Sequence, residues 1–180
     1  FKGGLEAIRR VARELSVPVV VKETGNGFSA ATLRHLRGTG IAAVDVAGRG
    51  GTHWGRIEGY RLSSDHPLYA VAQTFSDWGI STLESLLYAR ELDLDYEIWA
   101  SGGVRSGLDS AKVMALGARM VGLAQPWLEA VLSAGDPQQN LDRLLNRMEY
   151  ELKVSCFCTG SRTPLELAQG GKWKWRKTLN

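Results

Sequence analysis

Apolar runs alternate with helical patterns along this chain, and glycine clusters separate them. The strongest strand signal is Pro18–Glu23, in which three consecutive valines give an uninterrupted β-branched run. Three further apolar runs, Ile41–Val46, Tyr96–Ala100 and Ala118–Leu123, predict additional strands. Nearly continuous apolar runs of this kind are typical of parallel strands covered on both faces by helices. The pattern therefore predicts an α/β protein built on a parallel sheet.

Helical periodicity fills the segments between these strands. Residues 3–15 form an amphipathic pattern, and further helices are predicted to begin at Ser29, Ser81, Ser106 and Asp136 because each precedes such a pattern as an N-cap. The longest helix, after Asp136, should pack against the sheet wall or another subunit. The predicted inward positions are Leu5, Ile8, Ala12, Leu15, Leu83, Leu86, Leu87, Leu108, Ala111, Met114, Ala115, Leu141, Leu144, Leu145, Met148 and Leu152.

Residues 55–79 lack a clear period. A loop of this length inside a compact domain is usually a lid or a binding loop, so we predict one here. His53, just before it, is either a general base or, more commonly for a histidine beside a glycine loop, a hydrogen-bonding or surface residue. Glu58 is the acidic residue of this stretch best placed to reach a site, and a solvated charge is the alternative.

The stretch from Ala100 to Pro126 reads as a strand, a glycine turn, a helix, a second strand and a second turn. Gly102 and Gly103 lack Cβ atoms, so backbone N–H groups can approach a ligand closely. The helix N-terminus after such a turn carries partial positive charge and unpaired donors, which favour a phosphate. Two units of this kind match the phosphate site after strands seven and eight of a (β/α)8 barrel. The alternative, that the glycines only make a tight turn, stays open.

Two other strand ends carry candidate chemistry. Lys22 lies at the C-terminal end of its strand, where a buried ammonium needs an anion or an electron-rich ligand; a surface salt bridge with Glu23 or a neighbour is the alternative. The glycine-rich segment Ala47–Trp54 follows the next strand and again allows close backbone approach. Within it, Thr52 offers a hydroxyl and Trp54 a broad apolar wall.

Composition narrows the class of protein. The chain is 44% hydrophobic and 23% charged, with a net charge of +3, which is typical of a globular protein rather than a nucleic-acid binder. We see no membrane span and no signal peptide, so we expect a cytoplasmic location. Cys156 and Cys158 are too few for a disulfide framework or a zinc site. The basic tail Lys172–Lys177 is best explained as a solvated terminus or a subunit contact.

Length limits how much of a barrel is present. A complete (β/α)8 barrel takes about 250 residues, whereas this chain has 180 and shows four βα units. We therefore expect a single domain over residues 1–180 that supplies the second half of a TIM barrel, with four βα units and a C-terminal helix. Because a helix is already under way just after Phe1, we also expect a fragment of a longer protein.

Four segments together resemble type 2 isopentenyl-diphosphate delta-isomerase, a family of flavin-dependent enzymes. Ser-Gly-Gly-x-Arg-x-Gly alone is shared with other FMN barrels, but its combination with the Gly-Gly-Thr-x-Trp loop is specific, and the resemblance covers nearly the whole chain as a C-terminal half. The segments are Val19–Gly27, Asp45–Trp54, Ala100–Asp109 and Val121–Pro126.

This resemblance implies a TIM barrel that carries FMN at the C-terminal ends of its strands. It implies that Lys22 contacts the flavin ring, that Trp54 and Glu58 border the substrate pocket, and that the FMN phosphate lies against the glycine turn. Ala47 stands where some members of the family have serine, so only its backbone contacts could persist. The cofactor-binding positions implied are Lys22, Ala47, Thr52, Gly102, Gly103, Val104, Ala124 and Gln125.

The implied reaction converts isopentenyl diphosphate to dimethylallyl diphosphate in isoprenoid biosynthesis. Reduced FMN acts as acid and base in a 1,3-allylic proton shift, NADPH reduces the flavin, and Mg²⁺ neutralises the diphosphate. The family's metal ligands belong to the half of the barrel that this sequence lacks, so no metal ligand is predicted here and the lone chain should be inactive. The expected partner is a small diphosphate substrate, with no nucleic acid or membrane, and a homo-oligomer is expected.

Two alternatives remain. One is an FMN-dependent α-hydroxy-acid oxidase or dehydrogenase, which resembles this chain at Lys22 and Ser101–Gly103 but carries His-Gly-x-Arg where this chain has Ala47–Gly50. The other is a non-catalytic phosphate-binding half-barrel that associates with itself.

Overall fold

A four-stranded parallel sheet forms the centre of the computed structural model, which describes residues 2–169 and Lys174. The strands are β1 (Val20–Lys22), β2 (Ala43–Asp45), β3 (Glu97–Ala100) and β4 (Met120–Val121). The helices are α1 (Gly4–Glu14), α2 (Ala30–Leu36), α3 (Trp54–Tyr60), α4 (Pro67–Thr74), α5 (Thr82–Arg90), α6 (Gly107–Ala115), α7 (Gln125–Leu132) and α8 (Pro137–Cys158), and a 3-10 helix spans Pro164–Ala168. The prediction for the basic tail lies outside the described residues, apart from Lys174.

The strands lie side by side in chain order, β1-β2-β3-β4, and every pair is parallel. Their C-terminal ends therefore meet at one edge of the sheet, as the α/β half-barrel prediction requires. The strands are shorter than the apolar runs suggested, yet ladder hydrogen bonds continue past their ends, for example from Glu23 N–H to the Asp45 carbonyl at 3.2 Å. Among the described residues, β1 and β4 each pair with one neighbour, which leaves two open edges.

The main core lies between the sheet and helices α2 and α5. Leu33, Val44, Val46 and Leu86 are completely buried there. Tyr96, at the start of the β3 run, is 9% exposed, and its hydroxyl donates to the Leu33 carbonyl at 2.7 Å. Burial raises the pKa of Tyr96 to about 12, with a smaller contribution from the Asp95 carboxylate.

This raised pKa predicts a loss of stability at alkaline pH. Below the ordinary tyrosine pKa of 10.0 the hydroxyl is protonated in both states, whereas between pH 10 and about 12 only the unfolded chain releases the proton. The free energy of unfolding should therefore fall by about 2 kcal/mol across that window because of Tyr96. Urea unfolding of the unmodified chain and of Tyr96→Phe at several pH values measures it; identical alkaline slopes in the two proteins would contradict the assignment.

Side-chain caps begin all four helices for which the sequence predicts one, including α8, where Asp136 accepts from Gln139 N–H at 2.8 Å. Ser29 accepts a hydrogen bond from the backbone of Thr32 at the start of α2, and Ser106 accepts one from Asp109 at the start of α6. Ser81 and Glu84 form a complete capping box at the start of α5. Because Glu84 accepts hydrogen bonds from the side chain and the backbone of Ser81, its pKa is lowered.

The predicted loop over residues 55–79 is wrong, because this segment forms α3 and α4. Histidines cap both helices: His53 Nδ1 accepts from Arg56 N–H, and His66 Nδ1 accepts from Leu68 N–H, each at 3.1 Å. The two helices pack closely at Gly59, where an added Cβ would lie 2.6 Å from the Cβ of Ala72. Histidine is not among the residues preferred at N-caps, which is why the pattern was misleading.

Three predicted inward positions, Leu15, Leu108 and Leu145, are also wrong, since all three are exposed. Leu15 is 51% exposed because it follows the end of α1 in extended conformation and so leaves the helical face. Leu108 is 50% exposed because α6 packs on α8 through Gly107 and Ala111, whose direction differs from that of Leu108. On α8, Leu144 and Met148 are buried, while Leu145 is 54% exposed.

Candidate functional site

A cavity of about 360 Å³ opens at the C-terminal edge of the sheet. Residues from the ends of all four strands line it, which is the arrangement expected at the catalytic face of a barrel. Nine of the ten predicted site residues line this cavity, with Glu58 as the exception. The nine are Lys22, Ala47, Thr52, Trp54, Gly102, Gly103, Val104, Ala124 and Gln125.

Glu58 lies outside the cavity lining. Its side chain is 59% exposed, and its carboxylate accepts a hydrogen bond at 2.9 Å from Nη1 of Arg61, the residue that follows α3. Trp54, at the start of α3, is 59% exposed and lines the cavity.

His53 Nδ1 accepts the capping hydrogen bond, and Nε2 lies 3.2 Å from the Trp78 carbonyl, so both ring nitrogens hold α3 in place. The arrangement favours a structural role for His53 over that of a general base.

The two glycines after β3 are required by a neighbouring loop. Gly102 and Gly103 have φ angles of +93° and +84°, which L side chains rarely adopt. A Cβ on Gly103 would lie 2.6 Å from the Gly50 carbonyl oxygen, and one on Gly102 would collide with the backbone of Gly48. The turn after β3 and the glycine-rich loop after β2 therefore interlock backbone against backbone. The glycines do form a tight turn, and both also line the cavity, so the turn does not exclude a ligand.

Backbone donors converge on this cavity from two adjacent strand ends. Within residues 2–169, the N–H groups of Gly103, Val104, Ala124 and Gln125 have no hydrogen-bond acceptor. Val104 is only 6% exposed, and an unpaired buried amide is costly. Ala124 and Gln125 begin α7, whose N-terminus adds partial positive charge. A phosphate group supplies the several acceptor oxygens that such donors need.

Thr82, the first residue of α5, supports the turn after β3. Its buried hydroxyl lies 2.9 Å from the Ser101 carbonyl and 2.6 Å from the Gly102 carbonyl. Because both carbonyls point toward Thr82, the amides that follow them are free to face the cavity. The capping box at Ser81 fixes the helix end from which Thr82 acts.

Replacing Thr82 with valine tests this support. Thr82→Val keeps the shape but removes the single hydroxyl proton. The Gly102 carbonyl then loses its partner, whereas the Ser101 carbonyl keeps the Gly48 N–H at 3.3 Å, and the free energy of unfolding should fall by about 1–2 kcal/mol. Thr74→Val is the matched control, because the exposed Thr74 hydroxyl donates only within its own helix, to Ala70 at 3.0 Å. Urea unfolding of both variants measures the difference; equal losses would show that Thr82 has no special role.

Asp45, at the end of β2, is the site residue that sequence reasoning missed. Its carboxylate accepts from the Ser101 hydroxyl at 2.7 and 2.9 Å and from Ala47 N–H at 3.2 Å. The one available signal was an acidic side chain in the otherwise apolar run Ile41–Val46. The Ala47 amide is thus already paired, so among its backbone polar groups its carbonyl is the one left for a ligand.

Lys22 is not buried at its strand end, and its carboxylate partner is Asp45 of the neighbouring strand rather than Glu23. Its Nζ donates to the Glu23 carbonyl at 2.9 Å and lies 3.8 Å from Asp45, yet its side chain is 57% exposed and lines the cavity.

The side chain of Gln125 accepts from Arg105 Nη2 at 3.2 Å and donates to Glu129 at 2.7 Å. The backbone N–H of Gln125 is therefore the group that is available to a ligand. Arg105, which sequence reasoning left without a role, also lines the cavity.

Two features are absent from the part of the chain that the structure describes. No group of three or more His, Cys, Asp or Glu side chains in residues 2–169 is arranged to hold a metal ion. None of the helices described is both long and apolar enough to cross a membrane. Cys156 is buried and Cys158 exposed, and both are free thiols.

Curated relatives share much of this sequence. The isopentenyl-diphosphate delta-isomerase of Bdellovibrio bacteriovorus is 56% identical over 167 residues, covering 93% of this chain and 47% of the relative. Proteins of the same name from Legionella pneumophila and Synechococcus are 51% and 47% identical, over 90% and 89% of this chain and 46% and 45% of the relatives. These relatives confirm the resemblance stated from the four segments. The chain spans about half the length of the curated relatives it matches.

Solved structures confirm the fold. A mandelate oxidase variant superposes with a TM-score of 0.62 at 22% identity, covering 92% of this chain and 42% of that chain. A second mandelate oxidase variant gives a TM-score of 0.57 at 20% identity, with coverage of 91% and 42%. Residues 3–173 match the model of the FMN-dependent dehydrogenase family. Since this match extends over nearly the whole chain and the cavity sits where that fold assembles its site, the chain belongs to the FMN-dependent dehydrogenase family.

Proposed function

We propose that this chain supplies the phosphate-binding half of an FMN-dependent isopentenyl-diphosphate delta-isomerase, which converts isopentenyl diphosphate to dimethylallyl diphosphate in isoprenoid biosynthesis. The observation that carries the proposal is the convergence of unpaired amides from the ends of β3 and β4 on one cavity that also contains Lys22. Relatives 47–56% identical bear this enzyme's name, which supports the choice of reaction.

The residues present fit FMN. A cavity of about 360 Å³ lies within the range of small-molecule sites. Gly103, Val104, Ala124 and Gln125 would hold the phosphate through their amides, which otherwise lack acceptors among the described residues. Lys22 would lie near the ring system, and Thr52 offers a hydroxyl along the same wall.

The chain's own groups suit a reaction in which the cofactor carries the proton transfer. When bound, reduced FMN supplies both the acid and the base for the allylic proton shift. Lys22 would stabilise negative charge beside the ring, and Trp54 would exclude water from the substrate side. Asp45 is held by Ser101 and Ala47, which suits a fixed charge rather than a mobile proton carrier.

The proposal also includes a reductant for the flavin, a metal ion for the substrate, a role for Glu58 and an assembly. NADPH would reduce the flavin, and Mg²⁺ would neutralise the diphosphate through ligands contributed from outside residues 1–180. Glu58 remains a proposed border of the substrate pocket, since it lies one helical turn after Trp54, which lines the cavity. We further propose a cytoplasmic homo-oligomer in which residues 1–180 form part of one domain.

A chimeric enzyme tests this function. The matched segment of the Bdellovibrio bacteriovorus relative is replaced by this chain, and conversion of isopentenyl diphosphate is followed by NMR with FMN, NADPH and Mg²⁺ present. We expect conversion, and we expect Lys22→Met to slow it at least tenfold while Lys153→Met, a surface change on α8, leaves the rate unchanged. A chimera that folds and binds FMN but does not convert the substrate would contradict the proposal.

Two other outcomes identify the alternatives. Flavin reduction by a 2-hydroxy acid would favour an oxidase or dehydrogenase, although Ala47–Gly50 lacks the histidine that the family resemblance associates with that reaction. A colourless 180-residue chain that sediments as a dimer would favour the non-catalytic half-barrel.

A further inference from the structure

Asp45 is a buried charge that the proposed reaction does not use. Among residues 2–169 and Lys174, it is the one Asp, Glu, Lys, Arg or His that is buried, with 9% of its surface exposed. Burying a carboxylate is costly unless hydrogen bonds and an opposite charge offset the lost hydration. Asp45 also lines the cavity, so its charge lies at the site and not merely beneath it.

The partners of Asp45 connect three strand ends. Ser101 after β3 donates its hydroxyl to both carboxylate oxygens, and Lys22 at the end of β1 places Nζ 3.8 Å from Oδ2. Oδ1 also accepts from Ala47 N–H just after β2. Ala47 has φ +35°, and it is the one non-glycine residue with positive φ in the described part of the chain. A residue held in that region stores strain that its surroundings must offset, and such residues cluster at functional sites.

We propose that Asp45 is a positioning residue of the flavin site. Its carboxylate holds the Lys22 ammonium and the Ser101 hydroxyl at the strand ends, and its negative charge balances the positive charge of Lys22 beside the flavin. This inference rests on the proposed function, since it assumes that FMN occupies the cavity. Beyond that function, the Asp45 carboxylate and Lys22 together set how strongly the site prefers reduced over oxidised flavin.

The direction in which the flavin midpoint potential shifts follows from the charge that each substitution removes. Reduced flavin carries more negative charge than oxidised flavin at neutral pH, so a positive charge nearby stabilises the reduced form and a negative charge opposes it. Removing the Asp45 charge changes the strand-end pair from neutral to positive, and removing the Lys22 charge changes it from neutral to negative. The two changes must therefore shift the flavin potential in opposite directions.

The structure allows the charge of Asp45 to be separated from its hydrogen bonds. In Asp45→Asn, the amide oxygen can still accept from Ala47 N–H and from the Ser101 hydroxyl, so the turn after β2 is retained. In Asp45→Ala, both of these hydrogen bonds are lost. Hydrogen exchange at the Ala47 amide distinguishes the two cases, since protection persists in the Asn variant and disappears in the Ala variant.

The experiment measures the midpoint potential of FMN bound to the chimeric enzyme of the preceding section, which carries this chain or its variants, by dithionite titration against a reference dye. At an effective dielectric constant of about 20, a unit charge several ångströms from the ring changes the ratio of reduced to oxidised affinity by about tenfold. For the two-electron couple this is about 30 mV. We expect Asp45→Asn to raise the potential by about that amount, Lys22→Met to lower it by a similar amount, and the double variant to lie close to the unmodified chain.

FMN binding and the direction of the potential shift distinguish failure of the proposed function from failure of the role assigned to Asp45. If the unmodified chimeric enzyme folds but does not bind FMN, the proposed function fails and this inference fails with it. If the chimera binds FMN and Asp45→Asn retains protection at Ala47, an unchanged or lowered potential overturns this inference alone. Parallel shifts in Asp45→Asn and Lys22→Met would also overturn it, since they would indicate a purely structural role for the carboxylate.

Discussion

Gly103→Ala is expected to weaken FMN binding by at least a hundredfold. The new Cβ would lie 2.6 Å from the Gly50 carbonyl oxygen, and the residue would be held at φ +84°. Left-handed backbone costs an L residue about 1–2 kcal/mol before any collision is counted. The turn would have to move, and the amides of Gly103 and Val104 would move with it. Fluorescence quenching of FMN on titration with the chimeric enzyme that carries this chain measures the affinity.

A second glycine provides the matched control. Gly135 has φ +99°, and a Cβ added there meets nothing within 4 Å. Gly135→Ala therefore carries the backbone strain without the collision and without any contact with the cavity. We expect it to lose some stability and to keep its FMN affinity within about twofold, since it perturbs neither loop of the site. Equal losses of affinity in the two variants would show that strain alone, not the packing of the two loops, explains the effect.

Leu86→Ala is expected to lower the free energy of unfolding by about 3 kcal/mol. Leu86 is completely buried on α5, between the sheet and α2, and a cavity there cannot be filled by solvent. Large-to-small changes at such positions typically cost 2–5 kcal/mol, a sizeable part of the total stability of a domain. Because α5 also carries Thr82, the site should be lost when the helix detaches. Urea unfolding followed by circular dichroism measures the change.

Leu145→Ala is the control for this substitution. Leu145 is 54% exposed on α8, so the same chemical change removes little buried surface and should cost less than about 1 kcal/mol. A comparable loss at Leu145 would mean that α8 is buried against a further surface in solution, which would point to the predicted subunit contact.

Much of the fold could be predicted because its signals are local. The valines before Lys22 indicate a strand whatever surrounds them, and Ser81 with Glu84 caps a helix within four residues. The candidate site was predictable for the same reason, since glycines directly after an apolar run are a recognisable sequence pattern. This pattern and a family resemblance located nine residues that line the cavity; their roles in binding remain predictions.

What could not be predicted depends on contacts between distant segments. His53 and His66 begin helices as caps, a use of histidine that no local rule favours, so α3 and α4 were read as a loop. Asp45 gains its importance from Ser101, 56 residues away in the chain. The need for glycine at position 103 was recognised, but its reason, the backbone of Gly50, becomes visible only when the two loops meet.

The backbone interlock between the loops after β2 and β3 has a consequence for protein engineering and for evolution. A side chain introduced into either loop displaces the other, so neither can diversify by single substitutions while its counterpart stays fixed. The two loops should therefore be inherited, and transplanted between barrels, as a unit. A graft of residues 100–109 alone into a foreign scaffold should misfold at the junction, whereas a graft that also brings residues 45–52 should restore the turn.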